Sequence, residues 1–163
     1  MRFLWGLVLG FTLIAPAIGN AATPAADPPS PAATYDVDQC LKTQKTAKAE
    51  ANVCIGKVSE ACMALPGGET TYGMIDCLKR EIAVWDSKLN ATYKALLKDS
   101  APKMQTALKT AQRAWIKDRD ATCALPYAYF EGGTIAGPLG SDCMNEMTAR
   151  RFLLLDTYLH YAE

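Results

Sequence analysis

Two predicted helices carry charged side chains in register with their aromatic residues. The first has the pattern Glu81-x3-Trp85-Asp86-x2-Leu89-Asn90-x2-Tyr93, and the second has Gln112-x2-Trp115-x3-Arg119-Asp120-x2-Cys123. At about 100° per residue, Arg119 falls inside the apolar stripe of its helix, and Arg151 does the same in a later helix. An unpaired charge in such a position is costly to desolvate. These charges therefore mark either a core built around ion pairs or a binding site.

We expect a polar cluster in which Arg119 and Arg151 pair with the carboxylates of Glu81, Asp86 or Asp120, because a guanidinium fork matches a carboxylate bidentately. The favoured role is a buried salt-bridge network that fixes helix register. A ligand-binding or catalytic role for the charges and a misplaced surface cluster are the alternatives. The residues assigned to this motif are Glu81, Trp85, Asp86, Asn90, Tyr93, Gln112, Trp115, Arg119, Asp120, Thr148 and Arg151.

The residues that catalysis usually requires are poorly represented, and we assign no catalytic residue. The single histidine, His160, lies in the last predicted helical turn, away from any candidate nucleophile. Oxidised cysteines cannot act as nucleophiles. Two carboxylates could indicate a glycosidase, but a carboxylate paired with arginine stays ionised and is not poised as a general acid. No phosphate-binding loop, haem motif or metal-ligand spacing occurs, so we expect no cofactor and no metal.

A second candidate site is the segment Leu125-Pro-Tyr-Ala-Tyr-Phe-Glu-Gly-Gly-Thr134. If it is a long loop closed by a disulfide, it is pre-organised for binding. Alternatively, residues 126–131 continue the preceding helix after a kink, with Gly132 as its cap and the aromatics packed inward. The candidate partner-binding residues are Tyr127, Tyr129, Phe130, Glu131, Gly132, Gly133 and Thr134.

The N-terminus has the features of a secretory signal peptide. A short basic start is followed by an apolar run from Phe3 to Ala15, which is too short to cross a bilayer. Small residues then permit cleavage near residue 21. Residues 22–34 are rich in alanine and proline and predict an extended leader without core residues. We therefore expect a signal peptide at 1–21, a leader at 22–34 and a single domain at 35–163.

The charge balance excludes some partners. Seventeen basic and 17 acidic residues give a formal net charge of +0, which provides no electrostatic footprint for nucleic acid or an anionic membrane. We expect no stable membrane anchor. The oligomeric state is not indicated by the sequence.

Six cysteines follow the signal peptide, an even number that indicates disulfides in an oxidising compartment. Six cysteines allow fifteen connectivities. Neighbouring pairs are favoured because each would bracket a predicted turn and clamp two consecutive helices. Those pairs are Cys40–Cys54, Cys62–Cys77 and Cys123–Cys143.

Apolar residues recur at helical spacing and strand alternation is absent, which predicts an all-α, disulfide-stapled bundle of three long helices and a helical N-terminal segment. Residues 36–64 should form two short helices with a break near 45–48. The long helices should run from Thr70 or Thr71 to about 98, from 102 to 124 with Ser100 as its cap, and from Ser141 to about 161. The predicted inward residues of the last two are Met104, Leu108, Ala111, Trp115 and Thr122, and Met144, Met147, Leu154, Leu155 and Tyr158.

The combined motif resembles the lysozyme inhibitor LprI-like family of the bacterial envelope. The resemblance begins at Cys77-x3-Glu81-x3-Trp85-Asp86, continues through Ala111 to Ile116 and Arg119-Asp120-x2-Cys123, and includes Gly132-Gly133-Thr134, Cys143, Thr148 and Arg151. It implies a small helical, disulfide-bonded protein, periplasmic or secreted, that inhibits lysozyme-type muramidases without being an enzyme. The alternatives are an envelope adapter that binds another protein or a small ligand, and, less favoured, a cryptic hydrolase.

Overall fold

A computed structural model describes residues 35–161 of the chain. The proposed signal peptide and the leader at 22–34 lie outside these residues. Within them the chain forms α-helices and a 3₁₀ turn at Ala51–Cys54, without strands, so the all-α prediction is confirmed. The helices are α1 (Val37–Ala47), α2 (Lys57–Met63), α3 (Thr71–Asp99), α4 (Pro102–Cys123), α5 (Leu125–Tyr129) and α6 (Ala136–His160).

The centre of the bundle is the parallel pair of α3 and α6. Ile75 lies against Gly137 near the start of both helices, and the rings of Trp85 and Phe152 are 5.7 Å apart about three to four turns further on. Trp85 and Leu89 are fully buried in this core. The helix α4 runs antiparallel to α6 and covers one side of it. The short N-terminal helices cover another side through Val37, Cys40, Cys54 and Val58.

The N-terminal segment is more broken than its sequence predicts. Helix α1 ends at Lys48, whose backbone is left-handed (φ 53°), and its amide bonds back to the last turn. Residues 49–56 then pass through the 3₁₀ turn before α2 begins. The break therefore extends well beyond the predicted interval 45–48.

Thr70, one of the two residues predicted as the cap, is the N-cap of α3. Its hydroxyl accepts a hydrogen bond from the amide of Gly73 (3.0 Å) and donates to the carbonyl of Gly67 (2.8 Å). An N-cap hydroxyl satisfies one of the amides that the first turn of a helix leaves without a partner. The Pro66–Thr70 turn is thereby joined to the start of the central helix.

Two other predicted caps are wrong. Ser100 ends α3, and the N-cap of α4 is Ala101, with Pro102 at the first helical position. Ser141 lies inside α6, which begins five residues earlier at Ala136. Pro138 is tolerated there because the amides of a first helical turn need no helical acceptor.

The predicted inward faces of α4 and α6 are only partly correct. On α4, Leu108 is buried and Trp115 half-buried, whereas Met104, Ala111 and Thr122 are exposed. On α6, Leu155 is buried, Met144 and Met147 are half-buried, and Leu154 and Tyr158 are exposed. The face of α6 that is actually buried consists of Asn145, Thr148, Ala149, Phe152 and Leu155. Because this helix starts early, the small residue Gly137 lies against Ile75 of α3. The buried face of α6 is the one that contacts α3.

Three disulfides staple the bundle, and they are the pairs that the predicted turns favour. Cys40–Cys54 joins α1 to the 3₁₀ turn, Cys62–Cys77 joins α2 to α3, and Cys123–Cys143 joins α4 to α6. A closed loop of about fifteen residues contributes roughly 3 kcal/mol in the chain-entropy model. Among the described residues, no helix is both long enough and apolar enough to cross a membrane.

Gly73 tests the junction between the Pro66–Thr70 turn and α3. A β-carbon at this position would lie 2.7 Å from the carbonyl oxygen of Gly68, and still closer to that of Gly67. Gly73→Ala should therefore lower the free energy of unfolding by about 1–3 kcal/mol, as overpacking does. Alanine normally stabilises a helix interior by about 0.5–1 kcal/mol relative to glycine. A decrease in the free energy of unfolding would therefore itself indicate the close contact.

Urea denaturation of the oxidised protein measures this effect. The control is Tyr72→Ala, because Tyr72 is 87% exposed and its loss should change stability by no more than about 0.5 kcal/mol. A Gly73→Ala variant as stable as the wild type would contradict the packing described here.

Candidate functional site

The carboxylate of Glu81 is the most deeply buried charge in the described residues. Its side chain lies at the centre of α3 and has no solvent exposure. One oxygen accepts hydrogen bonds from the amide of Gly56 (2.6 Å) and the indole Nε1 of Trp85 (2.9 Å). The other oxygen accepts from the amide of Ser59 (2.8 Å). The carboxylate therefore caps the N-terminus of α2, where helix amides favour negative charge.

These donors keep Glu81 ionised despite its burial. Burial alone raises the pKa of the carboxyl, but the hydrogen bonds from Trp85, Ser59 and Gly56 outweigh it, and the pKa lies below its usual range. Donors to a carboxylate stabilise its charged form. A carboxylate so enclosed cannot serve as a general acid, and its oxygens are already occupied.

The prediction that Glu81 pairs with arginine is therefore wrong. Its partners are two main-chain amides and an indole, and none of them is charged. The signal in the sequence was the i,i+4 spacing of Glu81 and Trp85, which permits their hydrogen bond. The amides of Gly56 and Ser59 could not be found this way, because they come from another element.

Both arginines instead lie beside Trp115. The guanidinium carbon of Arg119 is 4.9 Å from the centre of the indole ring, and that of Arg151 is 5.7 Å away. Arg119 pairs with Asp120, the next residue, through Nε (3.0 Å) and Nη2 (2.9 Å). Of the three predicted acceptors, Asp120 is the only one that either arginine uses within residues 35–161.

Arg151 has a neutral partner. Its Nε donates to Oε1 of Gln112 (2.9 Å) across the α4–α6 contact, and within residues 35–161 it forms no ion pair. Burial lowers the pKa of this guanidinium, partly offset by Tyr158. The predicted pairing of Arg151 with a carboxylate is wrong because Gln112 occupies the nearest position on α4.

The remaining motif residues are distributed between core and surface. Asp86 and Asn90 are exposed and hydrogen-bond each other (2.8 Å), so Asp86 is not a partner of either arginine in the expected polar cluster. Tyr93 is half-buried against the core. Thr148 is fully buried beside Asn145 on α6, and neither side chain has a hydrogen-bond partner among the described residues. Thr148 is thus a core residue and does not join the arginines.

Residues 125–134 form a compact turn, which we call the aromatic turn. Its first half is the short helix α5, and its second half is closed by main-chain hydrogen bonds from Gly132 to Tyr127 (3.1 Å) and from Gly133 to Phe130 (2.8 Å). Glu131 and Gly132 have left-handed backbones, with φ of 50° and 77°. Glycine adopts such angles without steric cost, which allows the chain to reverse here.

Both interpretations of this segment are partly correct. The helix does continue, as α5, but its C-cap is Phe130 rather than the predicted Gly132, and its aromatic side chains remain largely accessible. Tyr129 is 81% exposed, Tyr127 49% and Phe130 39%, and the rings of Tyr129 and Phe130 pack edge to face at 4.9 Å. The remaining candidates, Glu131, Gly132, Gly133 and Thr134, are all exposed. The disulfide Cys123–Cys143 clamps the turn between α4 and α6.

Sequence reasoning missed two features that lie beside the aromatic turn. A β-carbon on Gly140 would lie 2.6 Å from the ring of Tyr127, so the glycine is what lets this ring pack on α6. Tyr72, at the start of α3, is 87% exposed and borders a groove of about 430 Å³ that Tyr127, Gly133 and Thr134 also line. The glycines at 137 and 140 were the available signal, but they indicate a helix breaker as readily as a close contact.

Comparison with known proteins identifies the family. The family model described as Lysozyme inhibitor LprI matches residues 62–155, more than half of the chain. The chain belongs to the lysozyme inhibitor LprI family. An uncharacterized protein of Rhizobium meliloti (strain 1021) is 32% identical over 100 residues, which cover 53% of this chain and 72% of that protein. No solved structure gives a significant match.

The LprI-matched range contains Glu81, the arginines, Trp115 and the aromatic turn. The donors Gly56 and Ser59 lie outside it, on the N-terminal segment. In this LprI protein, then, a carboxylate within the matched range holds the start of α2, which the family model does not cover. Among the described residues, no group of three or more His, Cys, Asp or Glu side chains could hold a metal ion.

Replacing Glu81 tests its capping role. Glu81→Gln turns an NH₂ group toward a main-chain amide, so we expect the free energy of unfolding at pH 7 to fall by about 2–3 kcal/mol. The lowered pKa adds a pH dependence. The stabilisation is complete above the ordinary glutamate pKa of about 4.3 and is lost as the pH falls through the lower folded pKa.

Urea denaturation between pH 7 and pH 2.5 measures both effects. As the pH falls, the free energy of unfolding of Glu81→Gln should decrease less than that of the wild type, because the variant lacks this carboxylate. The control Asp86→Asn removes an exposed carboxylate of the same helix and should behave like the wild type to within about 0.5 kcal/mol. Equal stability of Glu81→Gln and wild type at pH 7 would refute the capping role.

Proposed function

We propose that this chain is a secreted or periplasmic, non-enzymatic protein that binds and inhibits a lysozyme-type muramidase. Membership of the lysozyme inhibitor LprI family supports the activity. Three disulfides among the described residues, with no free cysteine there, support an oxidising compartment such as the periplasm. The proposed signal peptide agrees with this location.

We propose the aromatic turn as the partner-binding surface. The observation that carries this assignment is the exposure of Tyr129 and Phe130 on a turn that a disulfide and main-chain hydrogen bonds hold in place. Large exposed aromatic side chains are enriched among the residues that dominate binding energy in interfaces. Tyr72, across the groove, extends the same surface.

The construction of the turn favours affinity. An ordered segment loses little conformational entropy when it binds, so more of the contact energy is retained. Tyrosine and phenylalanine have only two side-chain torsions each and bury a large area when a partner covers them. The flanking residues Glu131 to Thr134 supply main-chain and hydroxyl groups for the polar rim of such an interface.

The charge of the surface predicts the mode of association. The turn contains Glu131 and no lysine or arginine, and the formal net charge of the chain is +0. Electrostatic steering mainly accelerates association, so its absence leaves affinity to apolar contact and slow dissociation. An inhibitor of this kind covers the muramidase cleft with aromatic side chains rather than inserting a basic tip.

The charged motif supports the non-enzymatic assignment. Glu81 is fully buried, and both of its carboxylate oxygens accept hydrogen bonds. Asp86 is exposed and hydrogen-bonded to Asn90. Asp120 is bonded to its neighbour Arg119. Each of these three carboxylates is engaged by hydrogen bonds within the fold, so we assign none of them a role in glycoside hydrolysis.

A lytic assay tests the proposal. The oxidised mature chain is titrated against c-type and bacterial muramidases while lysis of peptidoglycan is followed. We expect saturable protection, and Tyr129→Ala should weaken it at least tenfold, corresponding to about 1.4 kcal/mol, without changing the free energy of unfolding.

The matched control is Tyr161→Ala, because Tyr161 is 80% exposed, like Tyr129, but lies at the end of α6, away from the turn. Protection by both variants equal to that of the wild type would remove the assignment of the surface. No protection by micromolar wild-type protein would remove muramidase inhibition and favour an adapter with another envelope partner. Peptidoglycan turnover by the protein alone would instead favour a hydrolase.

A further inference from the structure

The pair of arginines at Trp115 has an excess of positive charge that the fold does not neutralise. Arg119 and Arg151 both lie within 6 Å of the same indole ring, at 4.9 and 5.7 Å, yet Asp120 is the one carboxylate that pairs with either of them in the described residues. Asp120 is itself more than half exposed. The group of four side chains, which we call the arginine site, consists of Gln112, Trp115, Arg119 and Arg151.

Gln112 orients Arg151 without neutralising it. The amide oxygen accepts from Nε (2.9 Å), which leaves the two terminal nitrogens of the fork without a hydrogen-bond partner in residues 35–161. Gln112 is 9% exposed, and Arg151 is half-buried on the adjoining helix. The terminal edge of a guanidinium presents two parallel donors, which suit a carboxylate or a phosphate.

Stacking on Trp115 does not account for this arrangement. A cation over an aromatic ring gains about 0.5–2 kcal/mol, and the ring offers no hydrogen-bond acceptor to the terminal nitrogens. A guanidinium withdrawn from water is satisfied by an anion that carries charge and acceptors together. The structure gives Arg119 such a partner in Asp120 and leaves Arg151 with a neutral one.

We propose that the arginine site binds a small anion bearing a carboxylate or a phosphate. The anion bonds to the terminal nitrogens of Arg151, with Arg119 supplying the second positive charge and Trp115 an apolar wall. The Arg119 side chain is only 16% exposed, so water screens its charge less than it would a fully exposed one.

The arginine site is separate from the surface proposed for protein binding. Trp115 and Arg151 are each eight residues from the cysteines of the Cys123–Cys143 disulfide, which corresponds to about 12 Å along each helix. The two proposals therefore stand independently. A chain that fails to inhibit a muramidase can still bind an anion here.

Binding is measured by tryptophan fluorescence and thermal unfolding of the oxidised protein in phosphate, citrate and chloride at matched ionic strength. In the mature chain Trp115 is the half-buried indole, whereas Trp85 is fully buried, so a change of emission reports on the arginine site. We expect a saturable response to phosphate or citrate that chloride does not give. Comparison of the two anions identifies whether the site prefers phosphate or carboxylate.

The variants are Arg151→Gln and its matched control Arg150→Gln. Arg150 is the adjacent arginine, but it is exposed and paired with Glu146 (2.7 Å) on the outer face of α6. We expect Arg151→Gln to weaken anion binding at least tenfold and Arg150→Gln to bind like the wild type. If Arg151→Gln does not fold, Arg151→Lys decides, because it keeps the charge and loses the fork; binding should again weaken.

Three results would overturn the proposal. The first is a wild-type response to phosphate and citrate no larger than the response to chloride, which would leave the site a purely structural cation stack. The second is a folded Arg151→Gln variant that binds as tightly as the wild type. The third, where that variant does not fold, is undiminished binding by Arg151→Lys.

Discussion

The enclosed carboxylate of Glu81 is the interaction on which the rest of this structure depends. It joins two elements at one point: α3, which carries both the carboxylate and the indole of Trp85, and α2, whose first amides the carboxylate caps. Withdrawal of a charge from water is repaid only when donors fully satisfy it, and here three donors do so. The N-terminal segment packs on the central helices through residues such as Val37 and Val58, and this carboxylate and the Cys62–Cys77 disulfide attach it to α3.

The charged motif separates into three structural roles once the helices are packed. Glu81 caps a helix, Asp86 and Asn90 form an exposed pair, and the arginines gather at Trp115 on the α4 side. A helical wheel could identify Arg119 and Arg151 as charges that turn partly inward, because that depends on local periodicity. It could not identify their partners, because those partners come from other helices and from main-chain amides. The motif is therefore informative about the family and the core, while the surface that we propose for a protein partner lies at the end of α4.

Much of the fold followed from local chemistry. The caps and breaks at Thr70, Pro102 and Gly132 depend on short-range geometry, and the turns set the disulfide pairs. The predictions that were wrong depended on tertiary contact. Helix α6 begins among Gly137, Pro138 and Gly140, a composition that indicates a loop, because the missing β-carbons admit Ile75 and Tyr127. Packing of α6 against α3 buries Asn145 and Phe152 and leaves Leu154 and Tyr158 exposed. In the same way, the sequence pattern alone could not show whether Tyr129 is exposed or buried.

The pKa of Glu81 is the most direct test of this account. Titration of the side-chain carboxyl carbons by NMR in the oxidised protein measures it. We expect Glu81 to titrate below the ordinary glutamate pKa of about 4.3, since the donors from Trp85, Ser59 and Gly56 outweigh the effect of burial. A Glu81 pKa at or above that ordinary value would mean that burial dominates and the carboxylate is not capped, which would contradict the central claim.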